Sequence, residues 1–218
     1  MPNYSTYLVA GPENILPNHL LGNESKEQAL IRIVQELGNN GLNVFQLRAK
    51  NISDSEQIDI LRNLKKALLN TQTKICINDS VNVASRAGDF VDILHLGQSD
   101  MHPEKAKSFI NDRIKIGLSI TKESQTRNIP DCVSYIGVGP IYKTNSKNDA
   151  EKPIGETILK QILEKVHIPV VAIGGINLNN VSNLFSLGVS GVAVISNILN
   201  NENPLKNFLL LKEKIKKD

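Results

Sequence analysis

Eight short apolar, β-branched runs separated by stretches of helical periodicity constrain this chain more than any other feature of it. The runs are TYLVA, NVFQLR, KICIN, DILHL, IKIGLS, SYIGVG, PVVAIGG and GVAVIS. Between most of them lie segments such as KEQALIRIVQELGNN, SEQIDILRNLKKALLN, ETILKQILEKV and LNNVSNLFSLG, whose apolar residues recur at helical spacing. Strand then helix, repeated, predicts parallel strands joined by crossover helices. Strands apolar on both faces predict a sheet that is covered on the outside. Eight units favour closure into a (β/α)8 TIM barrel, an α/β fold, over an open sheet. The open dinucleotide-binding alternative needs GxGxxG after its first strand, and here that strand ends in Ala10-Gly11-Pro12. No linker, low-complexity tract or repeat interrupts the series, so residues 1–218 read as one domain, somewhat below the roughly 250 residues usual for such a barrel.

Composition narrows the function classes. No apolar run approaches the roughly 20 residues that span a bilayer, and MPNYSTYLVAGP lacks a basic region followed by an apolar stretch and cleavage site, so the expectation is a soluble cytoplasmic protein with no membrane role. Cys76 and Cys132 stand alone, without CxxC or His spacing, and are expected to be buried thiols. The net charge is only +3, there is no Trp, and the basic KEKIKKD tail reads as a solvated helix end. No nucleic-acid partner is expected. The remaining partners are small anionic metabolites; a homo-oligomer is left open.

In such barrels the site lies at the carboxyl ends of the strands. After the second strand, a period of two sends Gln46, Arg48 and Lys50 to the face pointing into the barrel mouth, and Phe45 and Leu47 to the other. Two cations and an amide suit a diphosphate, although an ion pair with neighbouring carboxylates is an equal reading. Asp79 after the third strand and Asp100 after the fourth can share one hard cation, for which Mg2+ is the natural candidate. Asp79 alone could instead cap the helix opened by NDSVNVA. His95 reads as structural or as a support behind a site residue, since an isolated strand His carries little specificity. Gly174-Gly175 after the seventh strand and Ile195-Ser196 after the eighth, with a short helix following, make a phosphate site in the C-terminal half, where a lone Gly-Gly would be only a tight turn. Two loops are long, about 12–23 and 139–153, and the polar KTNSKNDAEK of the second marks it as a lid.

These stretches occur in the order YLVAG, FQLRAK, INDSVNVA, LHLGQSDM, IGLS, YIGVGPIYKTNSK, IPVVAIGGI and GVAVIS, and over nearly its whole length the chain resembles the thiamine-phosphate synthase family. The resemblance implies that the segment Gln46, Leu47, Arg48, Ala49 and Lys50, with Asn78, holds a pyrimidine diphosphate, and that Asp79 and Asp100 hold Mg2+. It implies a pyrimidine contact for Ser119, a diphosphate contact for Lys147, and a thiazole-phosphate site made of Thr144, Asn145, Ser146, Gly175, Ile195 and Ser196. Arg48, Lys50, Lys147 and Ser119 would then carry catalysis. The implied reaction displaces pyrophosphate from 4-amino-2-methyl-5-pyrimidinylmethyl diphosphate by the thiazole nitrogen, with no nucleophilic side chain. Departures from the pattern are Ser146 for the usual Thr, Ala49 where an acid is frequent, Ile120 where a His commonly follows Ser119, and about two extra residues between Asp79 and Asp100, which a turn near Gly88 and Asp89 is expected to absorb. A related thiazole tautomerase, a non-catalytic precursor-binding barrel and a phosphate-sugar isomerase are the rivals. The tautomerase would need a general base in place of a diphosphate and metal site.

Overall fold

A computed structural model describes residues 3–144 and 152–215 of the chain. Eight parallel strands close into a barrel in sequence order. They are β1 (Thr6–Ala10), β2 (Val44–Leu47), β3 (Lys74–Asn78), β4 (Ile93–Leu96), β5 (Lys115–Ile120), β6 (Val133–Val138), β7 (Val170–Ile173) and β8 (Gly191–Val194). The seam is made by β8 pairing with β1, Tyr7 opposite Ala193 and Leu8 opposite Val194. Around the barrel run α1 (Lys26–Asn39), α2 (Asp54–Ala67), α3 (Val81–Ala87), α4 (Pro103–Lys107), α5 (Gly155–Leu163), α6 (Val181–Ser186), α7 (Ser196–Leu199) and α8 (Pro204–Ile215).

The two long helices start where local chemistry tells them to. Ser25 accepts a hydrogen bond from Gln28 N while Gln28 Oε1 accepts from Ser25 N, and Ser53 and Glu56 repeat this at α2. Each reciprocal pair satisfies backbone donors that a helix start leaves open. The chain stays short because the outer layer is thinned on one side. A six-residue 3-10 helix, Glu123–Asn128, replaces the helix between β5 and β6, and α4 has five residues. The 12–23 loop carries two further 3-10 turns, Pro12–Asn14 and Pro17–His19, and buried His19 bonds Asn201 O at 2.8 Å through its Nε2.

Period-two alternation divides the buried residues into two layers. Leu8, Phe45, Leu47, Ile75, Ile77, Leu94, Ile116, Ile136 and Val192 face the helices. Tyr7, Val9, Val44, Cys76, Ile93, Tyr135, Val171 and Ala193 fill the barrel. Of the two thiols expected to be buried, Cys76 is buried in the barrel, whereas Cys132, just before β6, is only half-buried because the loop it ends reaches the surface. No helix among the described residues is long and apolar enough to cross a membrane.

Barrel closure depends on Gly191. A Cβ built there lies 1.8 Å from Tyr4 O, a backbone atom at the seam. Gly191→Ala is therefore expected to force the β1–β8 seam apart, at a cost of roughly 2–3 kcal/mol. That corresponds to a fall in Tm of roughly 4–12 °C in a thermal melt. An unchanged Tm would show that the seam has slack.

Candidate active site at the carboxyl ends of the strands

A cavity of about 610 Å3 opens at the carboxyl ends of the strands, and two chemically different walls face each other across it. Arg48, Lys50, Asn78, Asp79 and Asp100 form one wall, Thr144, Gly174, Gly175, Ile195 and Ser196 the other, and Ser119 stands between them. The loops after β2, β3 and β4 carry the first wall; those after β6, β7 and β8 carry the second.

The turn after β3 aims Asp79 in a particular way. Asp79 sits at φ 63°, the one positive-φ residue other than glycine among the described residues. Ser80 N donates to Asn78 O at 2.7 Å, closing a three-residue turn around it, and Asp79 N donates to His95 O at 2.8 Å. Such a turn is strained for a residue with a Cβ. The capping role is taken by the next residue: Ser80 is the N-cap of α3, its hydroxyl accepting from Val83 N at 3.1 Å. Asp79 is thus released from capping. Its carboxyl is pushed up to about 6, first by burial and then by the hydrogen bond and charge of Asp100, against the opposing pull of Lys50 and Arg48. Asp100 is held by Gly97 N, which donates to its Oδ2 at 2.6 Å. Between the two aspartates lie α3 and the 3-10 turn Gly88–Phe90.

Two neighbouring carboxyl groups that each disfavour the other's charge are a donor set that fits one divalent cation. Among the described residues no group of three His, Cys, Asp or Glu side chains is placed to hold a metal. A cation here would complete its shell with water and phosphate oxygens, as Mg2+ characteristically does.

On the opposite wall Gly174 and Gly175 have φ 100° and 65°. Tyr142 N donates to Gly174 O at 3.0 Å and Ile141 N to Ile173 O at 2.9 Å, so the segment after β6 lies along the end of β7 and delivers Thr144 to the cavity. The start of α7, at Ile195 and Ser196, completes this wall. Glycine backbone and a helix start together suit a phosphate group.

Some expected residues are placed elsewhere. Gln46, 4% exposed, faces the barrel interior but lies below the cavity, with its amide on Tyr7 and Cys76. Leu47 and Ala49 are buried in the outer layer against the helices, so their side chains turn away from the cavity and only their backbone could serve a ligand. Asn145, Ser146 and Lys147, with most of the lid, lie outside the described residues. His95, read as structural, proves to bridge Ser119 Oγ at 2.9 Å and Tyr135 OH at 2.8 Å. Sequence reasoning missed Lys122 and Gln98, both on the cavity wall. Gln98 donates to Ser119 O at 2.7 Å. The signal for Lys122 was its position just past a strand end, the rule applied to the other loops but not to this one.

Comparison with known proteins points one way. A family model described as thiamine monophosphate synthase matches residues 19–198. The thiamine-phosphate synthase of Lactococcus lactis subsp. cremoris (strain SK11) is 34% identical over 218 residues, covering 98% of this chain and 96% of that protein. The protein of the same name from Clostridium tetani (strain Massachusetts / E88) is 37% identical over 182 residues, 83% of this chain and 86% of its own. Among solved structures, thiamine phosphate pyrophosphorylase from Pyrococcus furiosus superposes with a TM-score of 0.83 at 28% identity, covering 99% of this chain and 97% of that one.

Proposed function

The chain belongs to the thiamine monophosphate synthase family, a family of transferases, and from that premise we propose how it makes thiamine phosphate. Its substrates are 4-amino-2-methyl-5-pyrimidinylmethyl diphosphate and 4-methyl-5-(2-phosphoethyl)thiazole or its 2-carboxy form, and the products are thiamine phosphate and pyrophosphate, with CO2 released as well when the thiazole carries the 2-carboxylate. The observation that carries this reading is a cavity in which a cation-and-carboxylate wall faces a glycine-and-helix wall. Two anionic groups can be held at opposite ends while the reacting atoms meet in the middle.

In this reading Arg48 and Lys50 grip the diphosphate, Arg as a planar fork and Lys as a point charge. Asn78 adds an amide, and the family resemblance adds Lys147. Asp79 and Asp100 would hold Mg2+, which when bound supplies positive charge for the departing pyrophosphate. Thr144, Ser146, Gly175, Ile195 and Ser196 take the thiazole phosphate. The C–O bond between the pyrimidinylmethyl carbon and the diphosphate breaks, its electron pair leaving with pyrophosphate, and the thiazole nitrogen lone pair forms the new C–N bond. The electron-rich aminopyrimidine stabilises the carbon cation between these events, so no protein nucleophile is needed. The protein's own work is electrostatic and positional. Ile173, Ala193 and Val194 put apolar surface in the cavity between its polar walls, which favours capture of the cation by the thiazole over water.

The test is to incubate the purified protein with both precursors, with and without Mg2+, and to follow thiamine phosphate and pyrophosphate together. Equal, Mg2+-dependent formation of both is expected. No product from protein shown to be folded would remove the reading.

A further inference from the structure

Beneath the cavity, the barrel interior carries a hydrogen-bonded chain that the displacement chemistry leaves unused. The Nε2 of Gln46 lies 3.1 Å from Tyr7 OH and 3.4 Å from Cys76 Sγ. Tyr7 OH is 2.9 Å from Tyr135 OH. Tyr135 OH is 2.8 Å from His95 Nδ1, and His95 Nε2 is 2.9 Å from Ser119 Oγ on the cavity wall. Room is made for it by two glycines. A Cβ on Gly117 would lie 2.3 Å from the Tyr135 ring, and one on Gly137 would lie 3.0 Å from His95 Cε1. Burial holds both phenols well above their ordinary range and pushes the Cys76 thiol up to about 12, so these members stay protonated at neutral pH.

The proton count along this chain has a direction. An amide NH2 only donates, so Tyr7 accepts from Gln46. If Tyr135 also donated to Tyr7, the Tyr7 hydroxyl proton would be left with only a thiol sulfur, a weak acceptor, at a fully buried site. Tyr7 therefore donates to Tyr135, and Tyr135 donates to His95 Nδ1. That leaves the His95 proton on Nε2, donated to Ser119 Oγ. Ser119, already accepting from His95, directs its own hydroxyl proton elsewhere.

We propose that Gln46, Tyr7, Tyr135 and His95 form a one-directional relay that commits Ser119 to donating a hydrogen bond into the cavity. The substrate group recognised there is then an acceptor, an aromatic ring nitrogen; that this ring is the pyrimidine rests on the synthase reading above. Gln46 acts as a positioning residue two steps below the diphosphate wall, and its side chain does not touch the substrate. The relay also distinguishes a ring nitrogen from a carbon at that position, because a ring without the acceptor would leave the serine proton unpaired.

The direct test is a 15N-resolved NMR spectrum of the imidazole in the substrate-free wild-type protein. A proton on Nε2 and a bare Nδ1 are expected; a proton on Nδ1, which a Gln46 amide turned the other way would produce, overturns the proposal. Gln46→Met removes the donor that sets the direction while keeping side-chain volume. It is expected to populate both tautomers and to lower kcat/KM for the pyrimidine diphosphate roughly tenfold, the scale of one hydrogen bond. An unchanged tautomer with unchanged kcat/KM would also overturn it. Should that variant fail to fold, Tyr135→Phe breaks the same chain two members higher and carries the same expectations. Because the tautomer is read without substrate, failure of the synthase reading would show separately, as folded wild-type protein without turnover.

Discussion

Asp79→Asn is expected to lower Mg2+-dependent turnover by roughly a thousandfold, the scale of several kcal/mol of lost charge stabilisation, while making the metal-free protein more stable at neutral pH. The two effects share a cause. Asp79 is held in a strained turn at φ 63°, within hydrogen-bonding reach of Asp100, and its carboxyl titrates near 6 instead of 3.8. A carboxyl whose folded value is raised binds its proton more tightly folded than unfolded. Its contribution to stability is complete below the ordinary value near 3.8 and is lost as the pH rises through about 6. Asn keeps the shape, tolerates the left-handed conformation and carries no charge to repel Asp100. With partial exposure discounted, the gain above pH 6 is on the order of 1 kcal/mol, roughly 2–4 °C in Tm. Melts from pH 4 to 8 should show the wild type falling relative to the variant as the pH crosses 6. Mg2+ should raise the wild-type Tm at pH 7.5 and leave the variant unmoved. Equal Mg2+ stabilisation of both proteins would overturn the proposed role of Asp79 as a metal ligand.

The strands and the barrel were legible because both faces of each strand are buried, and burial writes itself as apolar runs of the observed length. The missing helix between β5 and β6 was less so: a segment like TKESQTRNIP carries no helical period to recognise, and it closes as a 3-10 turn. Gln46 shows where alternation stops being enough. Period two put it correctly on the inner face with Arg48, but two residues along a strand is about 6.6 Å. That distance separates the barrel interior from its mouth. The same rule turned Leu47 and Ala49 outward, away from the cavity, although the motif they belong to runs through the site. Asp79 was ambiguous because it could also cap the helix opened by NDSVNVA, and the choice rests on a backbone dihedral that sequence does not display. His95 was unreadable for another reason. Its partners, Ser119 and Tyr135, lie 24 and 40 residues away, and only strand register brings them together.

Gly175→Ala is expected to raise KM for the thiazole phosphate roughly a hundredfold and to leave binding of the pyrimidine diphosphate within about threefold of wild type. The position is constrained twice. Its φ of 65° costs a residue with a Cβ roughly 1–2 kcal/mol. The added methyl would also lie 2.6 Å from Lys143 O and 2.7 Å from Tyr142 Cβ, an overlap worth roughly 1–3 kcal/mol. Which side yields decides what is lost. The preceding residues are held in the sheet by pairing with β6 and β8, whereas Tyr142 and Lys143 lead directly into the cavity-lining Thr144. The overlap is therefore relieved by moving the segment 142–144 outward, which opens the phosphate end of the cavity and withdraws the Thr144 hydroxyl. About 3 kcal/mol lost from one binding event is a factor of roughly a hundred. The wall proposed to hold the diphosphate, built on β2, β3 and β4 across the barrel, shares no backbone with this segment. Titration calorimetry with the thiazole phosphate and, separately, with pyrophosphate in Mg2+ reads the two ends apart. Equal weakening of both would mean that the substitution loosens the whole barrel mouth and that the two walls are not separate sites.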